Sequence, residues 1–135
     1  SKKLVVIGRG EEYEKIVKTA TDNIEIMGYQ PDDVLVQYMQ GAKGYVFAAL
    51  EDFGISPVEA MSCATPVVAY GYGGVAESVV DGVSGIFFYE QSAEAICDAI
   101  KKFENAVFDP KKIRACAERF ADFDTKFLEF FERIE

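Results

Sequence analysis

Five short apolar runs, beginning near residues 4, 24, 45, 66 and 86, set the strongest limit on how this chain can fold. They are Leu4-Val5-Val6-Ile7, Ile24-Glu25-Ile26-Met27, Tyr45 to Leu50, Pro66-Val67-Val68-Ala69-Tyr70 and Ile86-Phe87-Phe88. Each is too short for a helix core and has the length of a buried strand. Helical patterns separate them: Glu11 to Ala20 carries Tyr13, Ile16, Val17 and Ala20 on one face, and Val34, Leu35, Tyr38, Met39 and Ala42 follow Pro31. Regular alternation of strand and helix predicts an α/β fold, with an open parallel sheet of about five strands and helices on both faces. At 135 residues the chain is expected to be one domain, 1–135, with a single core. Three further helices are expected: one capped by Ser92, one started by Asp109-Pro110, and a last one from Asp124 with Phe127, Leu128, Phe131 and Ile134 on its stripe. Phe123 and Phe130 lie off that stripe and suggest either contact with something outside the domain or a wider stripe on its own core.

Ligands of such sheets bind beyond the carboxyl ends of the strands. The turns expected there are Gly8-Arg9-Gly10, Gly28-Tyr29-Gln30, Glu51 to Ser56 and Gly71-Tyr72-Gly73-Gly74, all with glycine. The third stands out. In Glu51-Asp52-Phe53-Gly54-Ile55-Ser56-Pro57-Val58-Glu59 two carboxylates bracket a turn into a helix. Ser56 is expected at the N-cap and Pro57 at the first helical position. The N–H groups of Phe53, Gly54 and Ile55 would then lie near a helix N-terminus, where free donors and the helix dipole suit an anion such as phosphate. Ser56 and Glu59 also fit a capping box, a purely structural role for Glu59.

Net charge is −9, without histidine. An acidic surface argues against nucleic acid and anionic membranes as partners, and leaves a phosphate site in need of local positive help. No apolar run nears the about 20 residues of a membrane span, and no signal-peptide pattern opens the chain. Cys63, Cys97 and Cys116 are scattered in helical patterns and are expected to be buried, reduced thiols; no metal site is expected. Gly8-Arg9-Gly10 lacks the third glycine of a dinucleotide fingerprint and is followed by Glu11-Glu12, which disfavours a dehydrogenase. A signalling receiver domain needs acidic groups that Gly8-Arg9-Gly10 and Leu50-Glu51 do not supply.

The run EDFGISPVEAMSCATPVVA, continued by GYGGVAESVVDGVSGIFF, resembles the signature of retaining glycosyltransferases of family 4, which have the GT-B fold. The resemblance implies a Rossmann-like, C-terminal domain that binds a nucleoside diphosphate sugar, such as GDP-mannose or a UDP-sugar, and needs no cofactor or metal. It implies transfer of the sugar to an acceptor hydroxyl with retention, in polysaccharide, glycolipid or cell-envelope biosynthesis, with a mannosyltransferase as the narrower expectation. By resemblance Glu51 contacts donor-sugar hydroxyls and is the catalytic candidate, and Glu59 accepts from the ribose hydroxyls. The backbone of Phe53, Gly54, Ile55 and Ser56 reaches sugar and diphosphate. Gly8 and Arg9 lie near the donor, Arg9 as a phosphate partner or an exposed charge. Gly28, Tyr29 and Gln30 hold the base. Gly71 to Gly74 and Glu77 match a glycine loop of the family.

The family has a further strand and helix before Leu4, bearing an Arg and a Lys that clamp the diphosphate, and a separate N-terminal domain for the acceptor. The expectation is therefore a fragment with no transferase activity of its own and at best weak nucleotide-sugar binding. The whole enzyme is expected in the cytoplasm, with peripheral contact at the inner membrane face made through its N-terminal domain and none by this one. A GT-B epimerase and a binding module without activity remain as alternatives.

Overall fold

The computed structural model describes residues 2–52 and 54–120. Phe53 and the expected last helix from Asp124 lie outside the described residues. The fold is α/β, with parallel strands alternating with helices. It divides into two compact units, Ser1–Leu35 and Val36–Glu135.

The first unit is a β–α–β motif. β1 (Leu4–Ile7) pairs in parallel with β2 (Ile24–Met27), Leu4 opposite Ile24 and Ile7 opposite Met27. α1 (Tyr13–Thr19) joins them. Lys3 Nζ and Glu25 Oε2 meet at 2.9 Å across the strands, an exposed pair of small weight. α1 is shorter than expected and buries none of its residues; Ile16 and Val17 remain 39% and 47% exposed. α2 (Asp32–Gly41) follows Pro31 and belongs to the second unit from Val36 on; Asp32 and Asp33 in its first turn suit the positive end of the helix.

The second unit carries β3 (Tyr45–Phe47), α3 (Ile55–Ser62), β4 (Val67–Tyr70), α4 (Val75–Ser78), β5 (Gly85–Phe88), α5 (Ala93–Glu104) and α6 (Pro110–Glu118). β4 is central, parallel to β3 on one side and β5 on the other. Alternate side chains of a strand point to opposite faces, and β4 uses both. Val67 and Ala69 join Phe47, Val58, Ala60, Met61, Val75, Val79, Ile113 and Ala117 in one core beneath α3 and α6. Val68 joins Phe88 and Ala99 in a second, under α5, with Ile96, Ile100 and Phe103 packed around it. Val58 and Met61 are fully buried, and each such side chain contributes about 1.5–3 kcal/mol by leaving water.

All five expected strands are present and every pairing is parallel, but among the described residues the ladders form two sheets, β1–β2 and β3–β4–β5. β3 is also shorter than the apolar run. It is the outer strand of its ladder, with Val46 38% exposed, and Ala48 to Asp52 continue beyond it outside the ladder. The expected caps of α5 and α6 are in place: Ser92 Oγ accepts from Ala95 N–H at 3.1 Å, and Asp109 Oδ1 from Lys111 N–H at 3.0 Å. Cys63 and Cys116 are buried, but Cys97 is exposed. It stands on the margin of the α5 stripe, whose packed face follows Ile96, Ala99, Ile100 and Phe103. Among the described residues no helix is long and apolar enough to cross a membrane.

α3 ends in a full Schellman motif: Thr65 N–H reaches Ala60 O at 3.0 Å and Ala64 N–H reaches Met61 O at 2.9 Å. The residue that turns the chain is Ala64, at φ 63°, where glycine is the usual choice. Left-handed backbone costs a residue with a Cβ about 1–2 kcal/mol. Glycine avoids that cost but loses about 0.5–1 kcal/mol through its freer unfolded chain. Ala64→Gly is therefore expected to stabilise the domain slightly, by about 0.5–1 kcal/mol, read as a rise of a few degrees in melting temperature.

Candidate functional site

α3 begins two residues earlier than the Ser-Pro pair suggests. Its N-cap is Gly54, buried, at φ −79° and ψ 97°, so Ile55, Ser56 and Pro57 are its first three helical residues. Proline lacks the N–H that would be unsatisfied at that position, so Pro57 is tolerated there. Gly54 offers no side-chain acceptor, and the leading N–H groups of Ile55 and Ser56 have no partner within the helix. Ser56 does not cap: its Oγ takes a hydrogen bond from Tyr45 Oη at 3.0 Å. The capping-box reading of Glu59 fails with it, because Glu59 stands a turn inside the helix.

The turn before α3 is held by the neighbouring strand ends. Gly74 N–H donates to Glu51 O at 2.8 Å. Gly73, at φ +80°, comes so near that a Cβ on it would lie 2.4 Å from the same oxygen. Gln91 Nε2 donates to Ala48 O at 2.8 Å. The glycine loop after β4 is thus the buttress of the Glu51 turn, a role the sequence did not disclose. The Glu51 carboxylate is exposed and that of Glu59 is half-buried. Both charges reach Tyr45. Burial pushes its phenol upward most, and the negative charges of Glu59 and then Glu51 add to the effect, while the bond to Ser56 opposes it. The two carboxylates of the signature therefore flank the same helix N-terminus.

Glu59 acts on Cys63 as well. Burial first, then the Glu59 charge, push this thiol up to about 11. At neutral pH it is a protonated, unreactive thiol. Brief treatment of the native chain with iodoacetamide is expected to alkylate Cys97, whereas Cys63 and Cys116 react only after denaturation; prompt labelling of Cys63 would contradict its burial.

The carboxyl ends of β4 and β5 add a surface the sequence reading missed. Tyr70 and Tyr72 rings stand 5.0 Å apart and Tyr72 and Tyr89 5.7 Å apart, both edge to face. Tyr72 is 49% and Tyr89 59% exposed. The signal in the sequence was the alternation of tyrosine and glycine in Tyr70-Gly71-Tyr72-Gly73, since Gly71 leaves the space that the Tyr89 ring fills.

In the first unit the two expected glycine turns meet. Gly8, at φ +121°, donates from its N–H to Met27 O at 3.1 Å and Gly28 O at 3.3 Å. A Cβ on Gly28 would stand 3.4 Å from Arg9 Nε, so Gly8, Arg9 and Gly28 lie together. The Arg9 guanidinium lies over the Tyr13 ring at 4.5 Å, a cation–π contact that restrains its direction. Tyr29 is 82% exposed and Gln30 half-buried. Among the described residues no group of three His, Cys, Asp or Glu could hold a metal ion.

Parallel strands with glycine turns at their carboxyl ends, and a helix N-terminus between two carboxylates, define an α/β domain of the GT-B type. The chain belongs to the family Glycosyl transferases group 1, whose profile matches residues 1–120. It is similar to an uncharacterized glycosyltransferase of Methanocaldococcus jannaschii, 31% identical over 74% of this chain and 30% of the relative. It is also similar to the poly(glycerol-phosphate) alpha-glucosyltransferase of Bacillus subtilis, 30% identical over 97% of this chain and 19% of the relative. The chain thus spans less than a third of the length of these relatives. Among solved structures, a lipopolysaccharide outer core galactosyltransferase, WaaB, superposes with a TM-score of 0.71 at 20% identity, over 98% of this chain and 40% of that one. HepE of Anabaena, in complex with UDP, superposes at 0.64 with 25% identity, over 98% of this chain and 39% of that one.

Proposed function

We propose that this domain binds the nucleoside diphosphate sugar of a retaining glycosyltransferase. The observation that carries the reading is the α3 N-terminus, with its free N–H groups, set between the exposed carboxylate of Glu51 and the half-buried one of Glu59. Helix N-terminal donors suit the diphosphate. A carboxylate accepts hydrogen bonds from a pair of sugar hydroxyls, and that is the role assigned to Glu59 at the ribose. Glu51, beyond the turn, faces the transferred sugar. Its negative charge would stabilise the positive character that develops as the bond to the diphosphate breaks. The backbone of Gly54, Ile55 and Ser56 is assigned to the sugar and diphosphate. For Gly8, Arg9, Gly28, Tyr29 and Gln30 the donor-side role is proposed from the family match alone. The reaction moves a hexose to an acceptor hydroxyl, with a second, N-terminal domain of a cytoplasmic enzyme holding the acceptor.

A UDP-sugar is the favoured donor, because HepE was solved with UDP-glucose, with UDP and glucose, and with UDP. The relatives named above include a glucosyltransferase and a galactosyltransferase, and none carries the name of a mannosyltransferase, so the mannosyl reading has less support.

Calorimetric titration of the chain with UDP and GDP tests this, beside Glu59→Ala. UDP is expected to bind weakly, and the variant to lose at least tenfold in affinity, the usual order for a hydrogen-bonded charge. Absence of binding by either nucleotide at millimolar concentration, or equal binding by the variant, would overturn the assignment.

A further inference from the structure

Tyr45 opens β3, but its hydroxyl serves the start of α3. The ring stacks on Phe47, with centroids 6.5 Å and planes 28° apart, and packs against the core beneath α3. That packing fixes where the phenol oxygen ends, 3.0 Å from Ser56 Oγ. Between two hydroxyls the more acidic donates, and a phenol, with a pKa of about 10, is far more acidic than an alkanol. Ser56 Oγ is therefore the acceptor. A serine hydroxyl has one hydrogen, and this one is left to be given to something else.

Ser56 is the second residue of α3, so its backbone N–H also lacks a partner inside the helix. One residue thus presents two donors at the positive end of the helix, and the direction of one is set by Tyr45. Burial first, and then the nearby negative charges of Glu59 and Glu51, disfavour ionisation of the phenol, so it remains a donor across the neutral range.

We propose that Tyr45 is a positioning residue for the phosphate groups of the nucleotide ligand: it holds Ser56 Oγ as an acceptor, so that the Ser56 hydroxyl and N–H together address one anionic phosphate oxygen. This rests on the donor-site reading above. A bond that merely tied α3 to β3 would change stability alike with and without ligand. A bond that orients the Ser56 hydroxyl changes affinity for the phosphates and leaves affinity for the nucleoside alone.

The experiment uses the whole chain with UDP and with uridine as probes, followed by ligand-observed NMR, which detects millimolar binding. Tyr45→Phe keeps the ring and its packing and removes the donor. Ser56→Ala removes the hydroxyl, and Ser56→Thr restores one. Melting temperature is read for each without ligand. Tyr45→Phe is expected to weaken UDP about three- to tenfold. Ser56→Ala should weaken it at least as much, the double variant no more than Ser56→Ala, and Ser56→Thr should recover most of the loss. Uridine should bind all of them alike. UDP binding by Tyr45→Phe equal to the starting chain overturns the inference, and so do additive losses in the double variant. Should Tyr45→Phe fail to fold, the Ser56→Ala and Ser56→Thr pair decides: equal UDP affinity in these two refutes it. Silence of the unaltered chain toward UDP overturns the donor-site reading, and this inference with it.

Discussion

Gly85→Ala is expected to leave the domain unable to hold its fold at room temperature. Gly85 opens β5 opposite Val67 of the central strand. A Cβ there would lie 2.1 Å from Val67 O and 2.8 Å from Val79 Cγ1. Neither neighbour can yield. Val67 N–H is bonded to Ser84 O at 2.9 Å, Gly82 N–H to Gly85 O at 2.8 Å, and Val79 is in the core. The chain would have to give up the start of the β4–β5 ladder and part of the packing under α3. Losses of this kind exceed about 4 kcal/mol, which takes most of the margin of a domain at the low end of the usual range of about 5–15 kcal/mol. Urea unfolding followed by circular dichroism reads the effect directly. Gly41→Ala is the control, because nothing lies within 4 Å of its added Cβ. If Gly85→Ala unfolds within about 1 kcal/mol of the parent, the close approach of β5 to β4 is wrong.

Gly73→Ala is the second large effect, and it should strike the site before the fold. Two terms oppose it: backbone at φ +80°, and a Cβ 2.4 Å from Glu51 O. They can be separated. Gly82 has nearly the same backbone, φ +79°, with nothing within 4 Å of an added Cβ. Gly82→Ala therefore bears only the conformational cost, about 1–2 kcal/mol. Gly73→Ala must in addition push the Glu51 turn away and stretch the bond from Gly74. The expected result is a loss of about 2–4 kcal/mol of stability, beyond that of Gly82→Ala, together with at least tenfold weaker UDP binding that Gly82→Ala does not share. Equal behaviour of the two variants would show that the glycine loop does not buttress the turn.

Much of this was legible in the sequence because it follows from local periodicity. Val67-Val68-Ala69 is apolar without a break, short and rich in β-branched residues, as a strand buried on both faces requires. Ser92 and Asp109 announced their helices, since a cap acts within three residues of itself. The misplaced start of α3 shows the limit. Ser56-Pro57 has the pattern of a cap and first residue, but Gly54 can take the N-cap backbone without a side chain, and a tyrosine eleven residues earlier has claimed the serine hydroxyl. Gly73 against Glu51 is legible only in space. The same holds for Cys97: a helix stripe drawn from sequence gives its width, but the partner surface decides which margin faces water.

Glu51 is gripped by its carbonyl, while its carboxylate stands exposed. Shape and chemistry at this position are thus separable quantities. Any side chain that tolerates the backbone leaves the turn as it is, so the charge can be erased, as in Glu51→Gln, without disturbing the architecture around it. On the proposed role of Glu51, a lineage could retune or retire the chemistry by single exchanges and keep the domain intact, and an experimenter can make a well-folded counterpart in which that role alone is tested.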